Sequence, residues 1–246
     1  MLKIDINCDM GEGIGNDEGL MPFISSANIA CGLHAGDEQM MRQTIDLCIK
    51  YNVAPGSHPS FDDRKNFGRN EMHLSSDEIY DLVTKQIKTL KKIADEKDIR
   101  LHHVKPHGAL YNMAARDAGI AEAIAKAVMN VDPSLILYGL AGSHSIAEAK
   151  KIGLKTANEV FADRTYQDDG SLTSRKLAGA LIENTDIAIA QAISMIKDRR
   201  VHSLSGKKIV LDAETICIHG DGKHAVEFAN AIYTQLKKEG IAINAI

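Results

Sequence analysis

The chain has 246 residues, 44% of them hydrophobic and 25% charged. That is close to the globular average, and the chain is long enough to bury a core without a disulfide or metal staple. A net charge of −4 excludes a globally basic nucleic-acid binder, and no apolar run nears the ~20 residues that cross a bilayer. Cys8, Cys31, Cys48 and Cys217 form no CxxC pair, as expected of reduced thiols, and Met1-Leu2-Lys3-Ile4-Asp5-Ile6 lacks a signal peptide's apolar stretch. With 5 prolines and no low-complexity tract to mark a linker, one cytoplasmic domain over residues 1–246 is expected.

Taken in chain order, short apolar runs alternate with helix-period segments. The first strand is predicted at Leu2–Cys8 and the second at Ala27–Ala30, followed by a helix over Asp37–Lys50. A third strand, Val53–Gly56, precedes a helix over Asp77–Asp98. There Ser75, three residues before Glu78, signals a capping box. Strands at Leu101–Lys105, Leu135–Gly139 and Lys155–Asn158 alternate with helices at Ile120–Asn130 and Ser145–Lys151. A helix at Thr185–Lys197, a strand at Ile216–His219 and a helix at Lys223–Lys238, ended by Gly240, complete the pattern. Alternation of this kind means parallel pairing with helices outside. The two closures are a barrel and an open doubly wound sheet. The latter expects GxGxxG after its first strand, but Gly11-Glu12-Gly13-Ile14-Gly15 puts an acid at the phosphate-facing turn and no helix pattern follows. A loop and a barrel are therefore expected.

In parallel α/β folds the site lies beyond the carboxyl ends of the strands. The predicted exits are rich in ionisable and amide groups. They carry Asn7, Cys8, Asp9 and Glu12; Asn28, then Cys31 through His34 to Asp37; Ser57-His58-Pro59-Ser60; Lys105-Pro106-His107-Gly108; Asn158-Glu159, then Asp163-Arg164; and His219-Gly220-Asp221. Singly, such residues are more often turns or caps, and Asp37 is placed to cap its helix. Collectively, burying so many ionisable groups is costly unless function needs them. His102 and His103 are adjacent on a strand and point to opposite faces. No Walker-A loop is present: in the nearest look-alike, Gly222-Lys223, Cys217 and His224 replace the required glycine and hydroxyl. Nor is there a GxSxG elbow. Cys31, with His34 or His58, is a weaker nucleophile candidate than a buried thiol.

Several of these segments resemble the LamB/YcsF family: Asn7-Cys8-Asp9-Met10-Gly11-Glu12, Ser26 through Asp37, His58-Pro59-Ser60, Val104 through Asn112, Glu159 through Arg164, and Ile218-His219-Gly220-Asp221. The likeness runs through the whole chain in order. It departs after Arg164, where relatives often carry a proline before an Arg and a Gly-Ala, and this chain has Thr173-Ser174-Arg175 and Lys176 through Ala180. The resemblance implies a seven-stranded parallel (β/α) barrel of the glycoside hydrolase/deacetylase type. It also implies a role as the A component of bacterial 5-oxoprolinase, with ATP-dependent opening of 5-oxoproline to L-glutamate alongside subunits B and C. ATP, with or without Mg²⁺, would sit on this chain, on a partner or between them.

For such a reaction Asp9 or Glu12 is expected as base with His34 or His58 as its partner, Lys105 and Arg164 as cations, and His107 or His219 as proton donor. Asn7, Asn28, Asp37, Glu159, Asp163 and Asp221 complete the expected substrate and phosphate contacts. No metal ligand is assigned. Two alternatives remain open: a metal-dependent amidase or deacetylase drawing on Asp9, His34, His58 and Asp37, and a non-catalytic substrate-binding or scaffold protein.

Overall fold

The computed structural model describes residues 2–219 and 224–246. Strand β1 (Lys3–Met10) shows how the barrel is built. Its Ile4, Ile6, Cys8 and Met10 point outward into the main apolar core, while the alternate Asp5 and Asn7 are buried among polar partners from other strands. The same period of two runs through β2 (Ser26–Ala30), β3 (Ala54–His58), β4 (His103–Val104), β5 (Ile136–Leu140) and β6 (Lys155–Phe161). All pair in parallel in that order. The hairpin strands β7 (Arg200–His202) and β8 (Lys208–Val210) stand apart as an antiparallel pair. Strand β9 (Thr215–Ile218) lies between β6 and β1 and closes the cylinder. The result is the expected seven-stranded, all-parallel barrel. A short β10 (Ala242–Ile243) extends β1 at its amino end.

Helices cover the outside. After the brief α1 (Asp17–Leu20) come α2 (Glu38–Tyr51) and α3 (Ser76–Asp95), the latter with both bonds of the predicted Ser75/Glu78 capping box. Then follow α4 (Gly108–Arg116), α5 (Ala118–Val131), α6 (His144–Lys151), α7 (Thr185–Lys197) and α8 (Ala225–Lys238). Helix α3 buries Ile79, Val83, Ile87, Leu90 and Ile93, three or four residues apart as one face of a helix requires. Each such aliphatic side chain contributes about 1.5–3 kcal/mol on burial.

The sequence pattern missed α1, α4, the β7–β8 hairpin and β10. Helix α4 starts directly behind the Pro106-His107 turn, where Gly108 holds φ +58, so no spacer announced it. The predicted fourth strand shrinks to His103–Val104. Lys105 falls just past it, its N–H still bonded to the Ser57 carbonyl.

Barrel interiors of this kind are usually filled by branched apolar side chains. Here a polar ladder fills the lumen. Asp5 accepts from Ser26 at 2.8 Å and from Thr215. One layer higher, His103 bonds Asn28 at 2.8 Å and stacks on Tyr138 at 4.2 Å. Gly56 makes room for that ring, since a Cβ there would lie 2.2 Å from His103 Nε2. Of the adjacent pair His102 and His103, only His103 is fully buried.

Candidate active site

The ladder ends in a charged floor. Asn7 donates to Glu159 Oε1 (2.9 Å) and Thr215 Oγ1 (2.7 Å), which leaves its carbonyl to accept from Asn28 (2.7 Å). Above it, Lys105 Nζ lies 3.0 Å from Asp9 Oδ1, 3.0 Å from Glu159 Oε1 and 3.0 Å from Cys217 Sγ. Asn28 donates to the same Asp9 oxygen at 2.8 Å, and the other faces His58 Nε2 at 3.3 Å. A buried cation between two carboxylates is stable only with such complete pairing. Burial works against both charges, but the His58 and Lys105 charges outweigh it for Asp9 and hold that carboxyl well below the usual range. Burial likewise disfavours the Lys105 ammonium, and Asp9, Cys217 and Glu159 override it, so Lys105 stays protonated.

Beside Asp9, three imidazoles meet Glu12. The Gly11–Gly15 loop carries Glu12 into the mouth; the Gly11 N–H is tied to Asp17 at 2.8 Å. His34 stacks on His107 at 3.9 Å, and His58 stands edge-on to both. Glu12 Oε1 lies 3.4 Å from His34 Nε2 and 3.6 Å from His107 Nδ1. Burial, aided by the His58 charge, pulls His34 down to about 3 and His107 well below its ordinary value, so both rings are neutral near pH 7. Gly68, at φ +63, lets the backbone pass close to the pair, since a Cβ there would sit 3.0 Å from His34 and 3.1 Å from His107.

A second group comes from β6 and β9. His219 Nδ1 lies 2.6 Å from Asp163 Oδ2, and Arg175 donates to His219 Nε2 at 2.7 Å. Burial opposes the Asp163 carboxylate, yet the neighbouring His219 lowers its pKa on balance. Arg164 is spent on its own loop, donating to the Ala180 and Thr173 carbonyls at 3.2 and 2.5 Å. Burial, with Arg175 beside it, lowers its pKa to about 10. Both groups open onto one cavity of about 1140 Å³, lined by Asp9, Glu12, Lys105, Arg164, Arg175 and His219 among others.

The expected site residues thus divide. Asp9, Glu12, His58, Lys105, His107, Arg164 and His219 line the cavity. His34 backs it, and Asp163 holds His219. Asn7, Asn28 and Glu159, expected to contact substrate, are instead fully buried beneath the floor and position Asp9 and Lys105. Asp37 is also corrected: it is exposed, and its carboxylate caps α2 by accepting from Met40 N–H at 2.8 Å. Asp221 lies outside the described residues. Cys31 is a buried thiol pushed up to about 11 by desolvation, no nucleophile near neutral pH.

The LamB/YcsF family profile matches residues 4–246. A relative from Tolumonas auensis, named as the A component of 5-oxoprolinase, is 50% identical over all of both chains. One from Shouchella clausii with the same name is 54% identical over 100% of this chain and 99% of its own. The chain belongs to the LamB/YcsF family. Its fold matches that of a lactam utilization protein from Thermus thermophilus, 39% identical over both full chains with a TM-score of 0.93. A family 4 carbohydrate esterase from Streptomyces lividans, 12% identical, covers 99% of this chain and 92% of its own with a TM-score of 0.50 and shares the fold alone. No helix among the described residues is long and apolar enough to cross a membrane.

Some site residues of this LamB/YcsF chain escaped the sequence reading. Cys217 and Thr215 alternate along β9 toward the lumen, where they meet Lys105 and Asn7, and strand periodicity was a usable signal for them. Arg175 stands in a long loop and no local pattern marks it. Phe67, edge-on to His34 and His107 at 5.5 and 5.3 Å, is reached only by the fold.

Proposed function

We propose that this chain is the A component of a 5-oxoprolinase and carries the hydrolytic opening of an ATP-activated lactam, working with subunits B and C in the cytoplasm. The observation that carries this reading is the ionised Asp9 held between His58 and Lys105 at the floor of the mouth. The relatives' name supplies the substrate. Opening an unstrained five-membered lactam is opposed by easy recyclisation, which is the chemical reason to couple it to ATP.

ATP transfers its γ-phosphoryl group to the lactam oxygen, on this chain or on a partner, giving an O-phosphorylated imidate and ADP. Water then adds to the ring carbon while the ring nitrogen takes up a proton. The new hydroxyl loses its proton to Asp9, the C–N bond breaks, and the nitrogen leaves as the amine with a second proton. A second water converts the resulting γ-acyl phosphate to glutamate and phosphate. Asp9 is kept ionised by its neighbours and so is free to accept a proton, the same charges making it a weak base, and the Lys105 charge favours the anionic transition state. His219, held by Asp163, becomes the proton donor from the β9 side when Arg175 leaves its Nε2 for the substrate and that nitrogen takes up a proton. Arg175 and the lining face of Arg164 supply positive charge for the phosphate and the substrate carboxylate.

The test is glutamate release from 5-oxoproline with and without ATP, first with this chain alone and then with its B and C partners. Glutamate that needs ATP and all three chains is expected. No glutamate from a demonstrably assembled complex overturns the reading.

A further inference from the structure

The three mouth histidines are oriented from behind. His58 Nδ1 faces the Lys105 carbonyl at 2.7 Å and His107 Nε2 faces the Phe67 carbonyl at 2.9 Å. A carbonyl only accepts, so each of those ring nitrogens carries its hydrogen. His34 Nδ1 lies 2.8 Å from Ser60 Oγ, whose own hydrogen goes to the Phe61 carbonyl at 2.9 Å, so it too is the N–H. The nitrogens turned inward are therefore His58 Nε2, His107 Nδ1 and His34 Nε2. Together with a Glu12 oxygen they lie within 4.8 Å of one another.

Inward imidazole nitrogens packed this closely need a proton or a metal ion between them. His58 Nε2 and His107 Nδ1 are 2.9 Å apart, too close for two lone pairs. His34 is 1% exposed and its Nε2 has no hydrogen-bond partner. A single proton can bridge one pair of these atoms but not satisfy all of them. One metal ion can. Tetrahedral Zn²⁺ with bonds of 2.0–2.1 Å spaces its ligand atoms about 3.3 Å apart; three of the six separations here are 2.9, 3.4 and 3.6 Å, and all lie within 4.8 Å. Backbone or hydroxyl acceptors that fix the outer nitrogen of each imidazole are what metal-ligating histidines require. Glu12, His58 and His107 line the open cavity, which supplies an entry path.

We propose that Glu12, His34, His58 and His107 form a binding site for one divalent transition-metal ion of the Zn²⁺ class. Three imidazoles and one carboxylate favour that class over Mg²⁺ or Ca²⁺, which take mostly oxygen. When bound, the ion supplies a Lewis acid beside Asp9. The site stands on its own geometry and holds whether or not 5-oxoproline is the substrate.

The test is calorimetric titration of the chelator-stripped full chain with Zn²⁺ near neutral pH, in competition with a chelator of known affinity. One ion per chain is expected, with a higher thermal midpoint on loading. His34→Gln and His107→Gln should each weaken binding on the order of 100-fold or more. Ser60→Ala, which touches no ion, should cost about 10-fold by releasing the His34 ring. Co²⁺ in place of Zn²⁺ should give the intense visible absorption of a four-coordinate site. If no saturable binding is seen the proposal fails; it fails equally if stoichiometry and affinity are unchanged in both glutamine variants, which would put the ion on exposed histidines such as His73, His202 or His224. The glutamine variants' folding is checked by circular dichroism, so loss of binding is not loss of structure.

Discussion

The mouth of the barrel has two sides that use similar residue types and hold them differently. On the β1–β4 side, Asp9, His58 and Lys105 project from strand ends or from the residue just beyond, and each is fixed by the buried ladder below it. On the β6–β9 side, the Asp163–His219 pair is completed by Arg175, an exposed residue of a long loop. Between them, the β5 exit through Ala141, Gly142 and Ser143 carries no ionisable group. The difference teaches where geometry is held rigid and where it can adapt. Groups on rigid elements keep the alignment that bond-breaking needs, whereas loop-borne groups are those that vary with the ligand.

The largest expected effect comes from Lys105→Met. It leaves Asp9 and Glu159 as buried carboxylates with no cation between them, so unfolding free energy should drop by about 3–5 kcal/mol and turnover by the assembled enzyme should vanish. Urea denaturation checks the first, and wild-type stability would mean the first side is not the rigid one. Asp9→Asn keeps the shape but removes a charge that His58 and Lys105 favour, so its midpoint should fall, by less than that of Lys105→Met because the Lys105–Glu159 pair survives, while turnover falls by roughly 10²–10⁴. Turnover near wild type would remove Asp9 as the base.

Acid sensitivity separates the same side from the rest. His34, His103 and His107 are kept neutral chiefly by burial, whereas in the unfolded chain they titrate near 6.5. Below that pH the unfolded state binds protons that the folded state refuses. Stability of metal-stripped protein should therefore decline from about pH 6.5 downward, by about 1.4 kcal/mol per pH unit for each histidine. Asp5, raised by burial, works in the opposite direction with one proton against three. Asp9, held low, begins to lose its contribution only as the pH falls through its depressed folded value. Denaturation midpoints measured from pH 7 to pH 5 check the slope, and a flat profile would mean these rings are protonated in the fold.

Smaller effects are expected across the mouth. Arg175→Ala should raise KM for the assembled enzyme several-fold with kcat changed less, because it orients substrate and His219 without sharing the buried network. A kcat loss as large as that of Asp9→Asn would erase the distinction between the two sides. Asp37→Ala should cost about 1 kcal/mol of stability and leave kinetics unchanged, as suits a helix cap.

How much of this was written in the residue order follows from the range of each interaction. Alternation of Ile4, Ile6 and Cys8 with Asp5 and Asn7, and the three-and-four spacing from Ile79 to Ile93, are local, so strands, helices and the parallel α/β class could be read directly, while the seven-stranded barrel was implied by the family resemblance. Parallel pairing then sends every strand's carboxyl end to one rim, and the place of Asp9, His58, Lys105 and His219 at the mouth was legible for that reason alone. The Ser75–Glu78 cap was equally local. Only the closed barrel decides which of these side chains meet. The β1–β2 register sets Asp9 opposite Asn28, and closure through β9 brings Cys217 to Lys105 across 112 positions of sequence. The carbonyls of Lys105 and Phe67 and the hydroxyl of Ser60 fix which nitrogen of each mouth histidine faces inward. Burial separates Asn7, Asn28 and Glu159, which support the floor, from Asp9, which reaches the cavity. Those distinctions depend on contacts between residues far apart in the chain, and periodicity carries no information about them.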